Sequence, residues 1–191
     1  MSVAKAHNMP SCKDKKMLRM GTMGILCRGT KVLIIRRRLK TPEIRENGPP
    51  DTWAFPGGAL EKGETPEPAM KREYKEEAGV KVTIQPIGDE PVWGETDDYL
   101  VDDWRCFFFI VKQVDPNEEP NIMEPQKHVD LMWIDWNELW ALISAQIMDE
   151  TAGGAKEDAS GKDNMRFFPS MINMVKKYPL RSDAACLEKR L

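Results

Sequence analysis

Apolar and polar positions change period along the chain, and each change marks an element. Met20–Cys27 is small and apolar, Arg28-Gly29-Thr30 has turn chemistry, and Lys31–Arg36 is β-rich, which predicts a hairpin. Leu39–Thr52 is polar, with Pro42, Gly48, Pro49 and Pro50, and reads as a long loop. Trp53–Pro56 is short and extended, because a proline disfavours helix before it. Thr65 is a suitable N-cap with Pro66 in the first helical position, and Gly79 a left-handed stop, so a helix is predicted to Ala78. Val80–Ile87 alternates as a strand, Gly94–Asp103 reads as an acidic loop or hairpin tip, and Trp104–Val114 is apolar enough for a central strand. Val129–Asp135 is a further strand. Trp136–Met148 places Leu139, Leu142, Ile143 and Ile147 on one helical face. Met165–Tyr178 reads as a last helix that Pro169 starts or kinks.

This pattern predicts a tail over 1–19, one domain over 20–178 with a mobile Gly-, Ala- and acid-rich insertion at 149–164, and a tail over 179–191. Strands and helices mix without strict βαβ alternation. The expected class is therefore α/β, a central mixed sheet with helices packed on it, rather than a doubly wound parallel sheet.

Composition narrows the function. With 41% hydrophobic and 31% charged residues in 191, the chain can bury a core, which excludes a disordered or collagen-like polymer. No apolar run is long enough to span a membrane. A net charge of −3 argues against a protein that holds nucleic acid through its phosphates. Cys12, Cys27, Cys106 and Cys186 form no Cys-x-x-Cys pair, so zinc is not expected. Thiols of this kind and the lack of a signal peptide suggest a cytoplasmic protein. The basic start, Lys5 to Arg19, is too poor in Arg and Ser to favour a mitochondrial presequence.

The candidate chemistry lies in Gly58–Val80. Glu73, Glu76 and Glu77 fall at i, i+3 and i+4 and share a helical face, where like charges repel. Lys71, Arg72 and Lys75 offset part of this charge, and Glu64 precedes the helix. Such a face suits a hard divalent cation, Mg²⁺ with Mn²⁺ as a substitute. Gly57-Gly58 would let backbone approach a ligand or offer a carbonyl to the metal. Together these suit a polyphosphate substrate. Alone, three glutamates on a helix are most often a solvated surface.

The whole segment resembles the signature of the Nudix hydrolases: Gly, five residues, Glu, seven residues, Arg-Glu-apolar-x-Glu-Glu-x-Gly-apolar. Gly58, Glu64, Arg72, Glu73, Glu76, Glu77 and Gly79 fill every fixed position, and Val80 the last apolar one. Tyr74 stands where an aliphatic residue is commoner. Seven such matches arise by chance in a chain of this length on the order of once in a million, so the surface reading is set aside. The resemblance implies a Nudix-type α/β/α sandwich and Mg²⁺ held by Glu73 and Glu77, with Glu76 and a carbonyl of Gly57 or Gly58 contributing. It implies that Arg72 orients a helix carboxylate, and that the reaction is water attack on a nucleoside diphosphate linked to another group.

Family members differ in the general base; the loop candidates are Glu124, Glu95 and Asp98, with Glu124 preferred. Glu124-Pro125-Gln126-Lys127, followed by Trp133, Trp136 and Leu139, resembles nucleotide-pool members of the MutT type, which split nucleoside triphosphates into monophosphate and pyrophosphate. Arg36 and Arg38 are candidates for a phosphate. Trp53, Phe55, Trp133 and Trp136 are candidates to stack on a base, with core packing as the competing role. His128 reads as a loop residue rather than a ligand. The NADH-directed array and the proline of ADP-ribose-directed members have no counterpart. Dinucleoside polyphosphates stay open through Tyr99, as does a module in an RNA-cap or other assembly. The expected partner is a small nucleotide, without membrane or nucleic acid; a homodimer stays open.

Overall fold

A computed structural model describes residues 19–38, 51–86, 94–98, 104–151 and 165–179. The strands are β1 (Arg19–Arg28), β2 (Lys31–Arg37), β3 (Thr52–Ala54), β4 (Val82–Ile84), β5 (Gly94–Asp98), β6 (Trp104–Gln113) and β7 (His128–Asp135). The helices are α1 (Pro66–Ala78), α2 (Trp136–Thr151) and α3 (Pro169–Lys177). Among the described residues the strands form one mixed, seven-stranded sheet. It is the sandwich expected from the sequence: α1 covers one face, α2 and α3 the other.

Period-2 alternation divides the core. Met23, Ile25, Val32, Ile34, Phe108 and Ile110 point toward α2 and α3, and join Phe55, Trp136, Leu139 and Met171. Leu26, Leu33, Phe109 and Val111 point the other way, against Met70, Tyr74 and Ala78 of α1. A Cβ at Gly24 would sit 2.6 Å from the Tyr74 ring. Glycine there lets an aromatic residue fill the slot in the helix where an aliphatic was expected, and even alanine would cost about 1–3 kcal/mol of overpacking.

Two expectations need correction. The β1–β2 hairpin is paired only at its tip, Cys27 with Val32 and Arg28 with Lys31. Toward its start β1 leaves β2 and runs parallel to β6, Arg19 to Leu26 against Trp104 to Val111. β2 instead pairs with β7 and, at its far end, with β3. Two-sided burial explains this: both strands are apolar on both faces, so each gains more from an interior position than from a lone hairpin. The second correction concerns the segment read as an acidic loop or hairpin tip: 99–103 lie outside the described residues, and Gly94–Asp98 is itself a strand, antiparallel to β6. Its acids do not prevent pairing, because backbone groups supply the ladder and an edge strand tolerates polar side chains. The expected loop at 39–50, Tyr99 and the insertion from 152 to 164 lie outside the described residues.

Where β1 and β2 part, the chain after β3 fills the gap. Gly24 N–H donates to the Pro56 carbonyl, Thr22 N–H to that of Gly58, and Leu60 N–H to that of Met20. Residues 56–60 thus run along β1 and join the two halves of the sheet. A Cβ on Gly57, at φ 154°, would strike the Thr22 carbonyl, so only glycine fits this close approach.

Candidate functional site

Helix α1 starts as expected, with Thr65 extended before Pro66, and ends with Gly79 left-handed at φ 76°. Its buried stripe contains Ala69, Met70, Tyr74 and Ala78, and also Glu77, which is only 4% exposed. A buried carboxylate must be hydrogen-bonded. Gly57 N–H donates to Glu77 Oε2 at 2.8 Å, and His128 Nε2 lies 3.2 Å from Oε1. Neither Lys nor Arg among the described residues makes an ion pair with Glu77. Lys127 acts on it from further away.

One turn earlier on the helix, the arrangement differs. Arg72 donates to Glu64 through Nε at 3.1 Å and Nη2 at 2.8 Å, and through Nη1 to Glu73 at 2.9 Å and Glu76 at 3.2 Å. Its Nη2 also reaches the Ala59 carbonyl. Glu64 is held below its usual range by the Arg72 hydrogen bond and by Glu61 N–H. Glu73 moves the opposite way: burial raises it most, Arg72 pulls it down, and Glu77 and Glu76 push it further up. Its carboxylate packs against Gly58, where a Cβ would lie 2.5 Å from Glu73 Cδ.

The segment before β7 completes the site. Asn121 N–H donates to the Ala78 carbonyl and Met123 N–H to that of Glu77, capping the free carbonyls at the end of α1. Lys127 N–H and His128 N–H both donate to the Glu124 carbonyl, closing a turn. One carboxylate oxygen each of Glu77 and Glu124 and one ring nitrogen of His128 lie within 4.8 Å of one another. Lys127 Nζ pairs with Glu124 Oε1 at 2.7 Å, which raises the Lys127 pKa.

Of the three expected base candidates, Glu124 is therefore the one brought to Glu77. Glu95 and Asp98 lie on β5, with β6 and β1 between them and residues 56–60. Glu76 is half exposed and turned to Arg72. Arg36 faces Asp51 at 3.6 Å. Arg38 donates its N–H to the Lys127 carbonyl, beside the Glu124 turn, and its Nε is buried without a partner among the described residues.

The aromatic candidates need correction. Phe55 and Trp136 are fully buried and stacked on each other at 6.4 Å between centroids, so neither has a face for a base. Trp53 belongs to the same cluster and is 7% exposed. Trp133 is half-buried, and the Arg28 guanidinium sits over its ring at 4.4 Å. Apolar burial outweighed exposure for stacking, as is usual for large aromatics. His128 also differs from expectation: it opens β7, is 2% exposed, and belongs to the site. A histidine four residues after a loop glutamate, where a strand begins, was the available signal, but only pairing with a distant helix gives it meaning. Among the described residues, neither Cys27 nor Cys106 takes part. Burial pushes both Cys27 and Cys106 up to about 12.

The family model for the NUDIX domain matches residues 17–152. The chain belongs to the Nudix family. The segment Gly58–Val80, which carries the box signature in the sequence, lies inside that span. An 8-oxo-dGTP diphosphatase of Proteus vulgaris is 44% identical over 71 residues, which are 37% of this chain and 57% of that protein. An RNA pyrophosphohydrolase of Nitratiruptor sp. is 48% identical over 44 residues, 23% of this chain and 28% of that one. The chain therefore spans little more than half the length of these curated relatives, or less. A solved MutT structure from work on Aliivibrio salmonicida and Vibrio cholerae superposes with a TM-score of 0.51 at 21% identity, over 85% of this chain and 97% of that one. At that identity it shows a shared fold.

Proposed function

We propose that this chain is a divalent-cation-dependent hydrolase that splits a nucleoside triphosphate, a purine or modified purine deoxynucleotide, into monophosphate and pyrophosphate. The observation that carries the proposal is the convergence of Glu77 with Glu124 and His128 beside Gly57, with the Glu73 carboxylate lying against Gly58. The residues fit a cation: Glu77 and Glu76 raise the cost of ionising Glu73, which a cation would relieve, and Gly58 lets the backbone lie against the Glu73 carboxylate where a Cβ would clash. Glu77 and Glu73 would hold it. The Gly58 carbonyl already accepts from Thr22, which favours that of Gly57 as a further ligand. When bound, Mg²⁺ or Mn²⁺ would offset phosphate charge and lower the pKa of a water.

The chain's own residues supply the rest. Glu124 accepts the proton of the attacking water, once its carboxylate turns from Lys127, and Lys127 is then free to meet a phosphate oxygen. Arg72 keeps Glu73 and Glu64 in place by a charge-assisted fork. Arg38, beside the turn, is the better placed of the two arginine candidates. With Phe55, Trp136 and Trp53 buried and the Trp133 ring covered by Arg28, none of the four aromatic candidates is assigned a stacking face, which predicts weak discrimination among bases.

The substrate class rests on the likeness to the 8-oxo-dGTP diphosphatase, which covers more of this chain than the likeness to the RNA pyrophosphohydrolase. The test is a hydrolysis screen with Mg²⁺ over canonical and oxidised nucleoside triphosphates, ADP-ribose, diadenosine polyphosphates and 5′-triphosphate RNA. Release of pyrophosphate from a deoxynucleoside triphosphate is the expected result. Cleavage of ADP-ribose or RNA with all triphosphates intact would overturn the substrate and leave the site standing.

A further inference from the structure

We propose that His128 is a positioning residue that orients the Glu77 carboxylate and fastens the turn carrying Glu124 to the same carboxylate. The inference rests on the reading of Glu77 as a cation ligand. His128 is 2% exposed, and its Nε2 lies 3.2 Å from Glu77 Oε1. Its Nδ1 is buried without a partner among the described residues. The buried Nε2 can donate to Glu77 Oε1, while Gly57 N–H donates to Oε2, so the two contacts together fix the direction in which this carboxylate points.

The same contact closes a loop. Met123 N–H donates to the Glu77 carbonyl, and His128 reaches the Glu77 side chain. Residues 123–128 are thus tied at both ends to residue 77, by backbone at one end and by imidazole at the other. Glu124 lies between the ties, and its own carbonyl accepts from Lys127 and His128. Losing the ring contact would free Glu77 Oε1, leaving the carboxylate held only at Oε2 by Gly57 N–H, and would loosen the start of β7 that sets Glu124.

The test is a Mn²⁺ titration followed by electron paramagnetic resonance, on the full chain and on His128→Leu and His128→Gln. Leucine fills the space and donates nothing, whereas the glutamine amide can place an N–H where Nε2 was. His128→Leu should bind Mn²⁺ about 10–100-fold more weakly, the usual cost of losing a group that orients a metal ligand. His128→Gln should retain most of the affinity. Melting in EDTA accompanies both, since a purely structural role would lower the two melting temperatures without separating the affinities. Wild-type affinity in His128→Leu would overturn the proposal. So would a folded His128→Gln as weak as His128→Leu, or a directly bound imidazole ¹⁴N in the Mn²⁺ echo spectrum, which would make His128 a ligand. If the leucine variant does not fold, long-range ¹H–¹⁵N spectra of the wild type decide. Nε2 should carry the proton with and without Mg²⁺, and its loss on adding Mg²⁺ would overturn the proposal. A wild type that binds no Mn²⁺ would instead overturn the cation reading itself.

Discussion

Helix α1 carries two carboxylate environments a turn apart. Around Arg72, the glutamates Glu64, Glu73 and Glu76 share one guanidinium and stand partly in water. At Glu77 the carboxylate is buried and held by Gly57 N–H and the His128 ring, with no Lys or Arg ion pair among the described residues. The first arrangement offsets charge within the protein; the second sets no guanidinium or ammonium against the carboxylate. Glu73 touches both, because it accepts from Arg72 yet is raised by Glu77. The contrast separates residues that organise the site from residues that would bind its cation.

The largest effect should come from the buried side. Glu77→Gln is expected to lower turnover at least about a hundredfold, with the circular dichroism of the fold unchanged. Glu76→Gln, which only loosens an exposed contact to Arg72, should cost much less. Equal losses in the two variants would erase the distinction drawn above. Glu124→Gln should lower turnover by about 10²–10⁴-fold, the range for a general base, while Mn²⁺ affinity stays near wild type. An unchanged rate would return the role to a box glutamate or to Glu95.

Arg72→Lys tests the other side. Lysine keeps the charge but not the fork, so Glu64, Glu73 and Glu76 cannot all be held at once. Stability measured by urea should fall by about 1–3 kcal/mol, a figure kept low because the cluster is partly solvated. No loss would mean that the hub is electrostatic rather than geometric.

The smallest effects concern pH. Glu73 is raised in the folded state, so ionising it opposes folding. Its contribution to stability is present below the ordinary value of 4.5 and is lost as pH rises through the higher folded value. Glu64 is lowered, so its contribution is present above 4.5 and is lost as pH falls through the lower folded value. Without metal, Glu73→Gln should melt at or above the wild-type temperature near neutral pH, yet lose the rise that Mg²⁺ gives the wild type. Glu64→Gln should instead flatten the acid end of the melting profile. A Glu73→Gln protein that melts well below wild type in EDTA would show that Arg72 outweighs burial at this position.

Legibility in the sequence followed range along the chain. The box helix could be read because its causes are local: Pro66 at the start, Gly79 at the end, and three glutamates spaced by the helical period. The Mg²⁺-type face and the preference for Glu124 came from the same segment and from family resemblance. The buried state of Phe55 and Trp136 was not legible, because an aromatic residue has the same local pattern whether it meets a base or a neighbouring ring.

Local spacing and composition decided that there would be a mixed α/β fold, where its main helix runs, and which side chains carry charge there. Tertiary structure alone decided that β1 leaves its hairpin for β6, that residues 56–60 fill the gap, and that His128 closes on Glu77. The physical reason is the reach of the interactions. Helix caps and i, i+4 pairs act within a few residues, so they appear in any short window of sequence. Strand pairing and the burial of a carboxylate depend on which distant segments compete for the same surface. That competition between β1, β2, β6 and β7 is settled only when the sheet has formed.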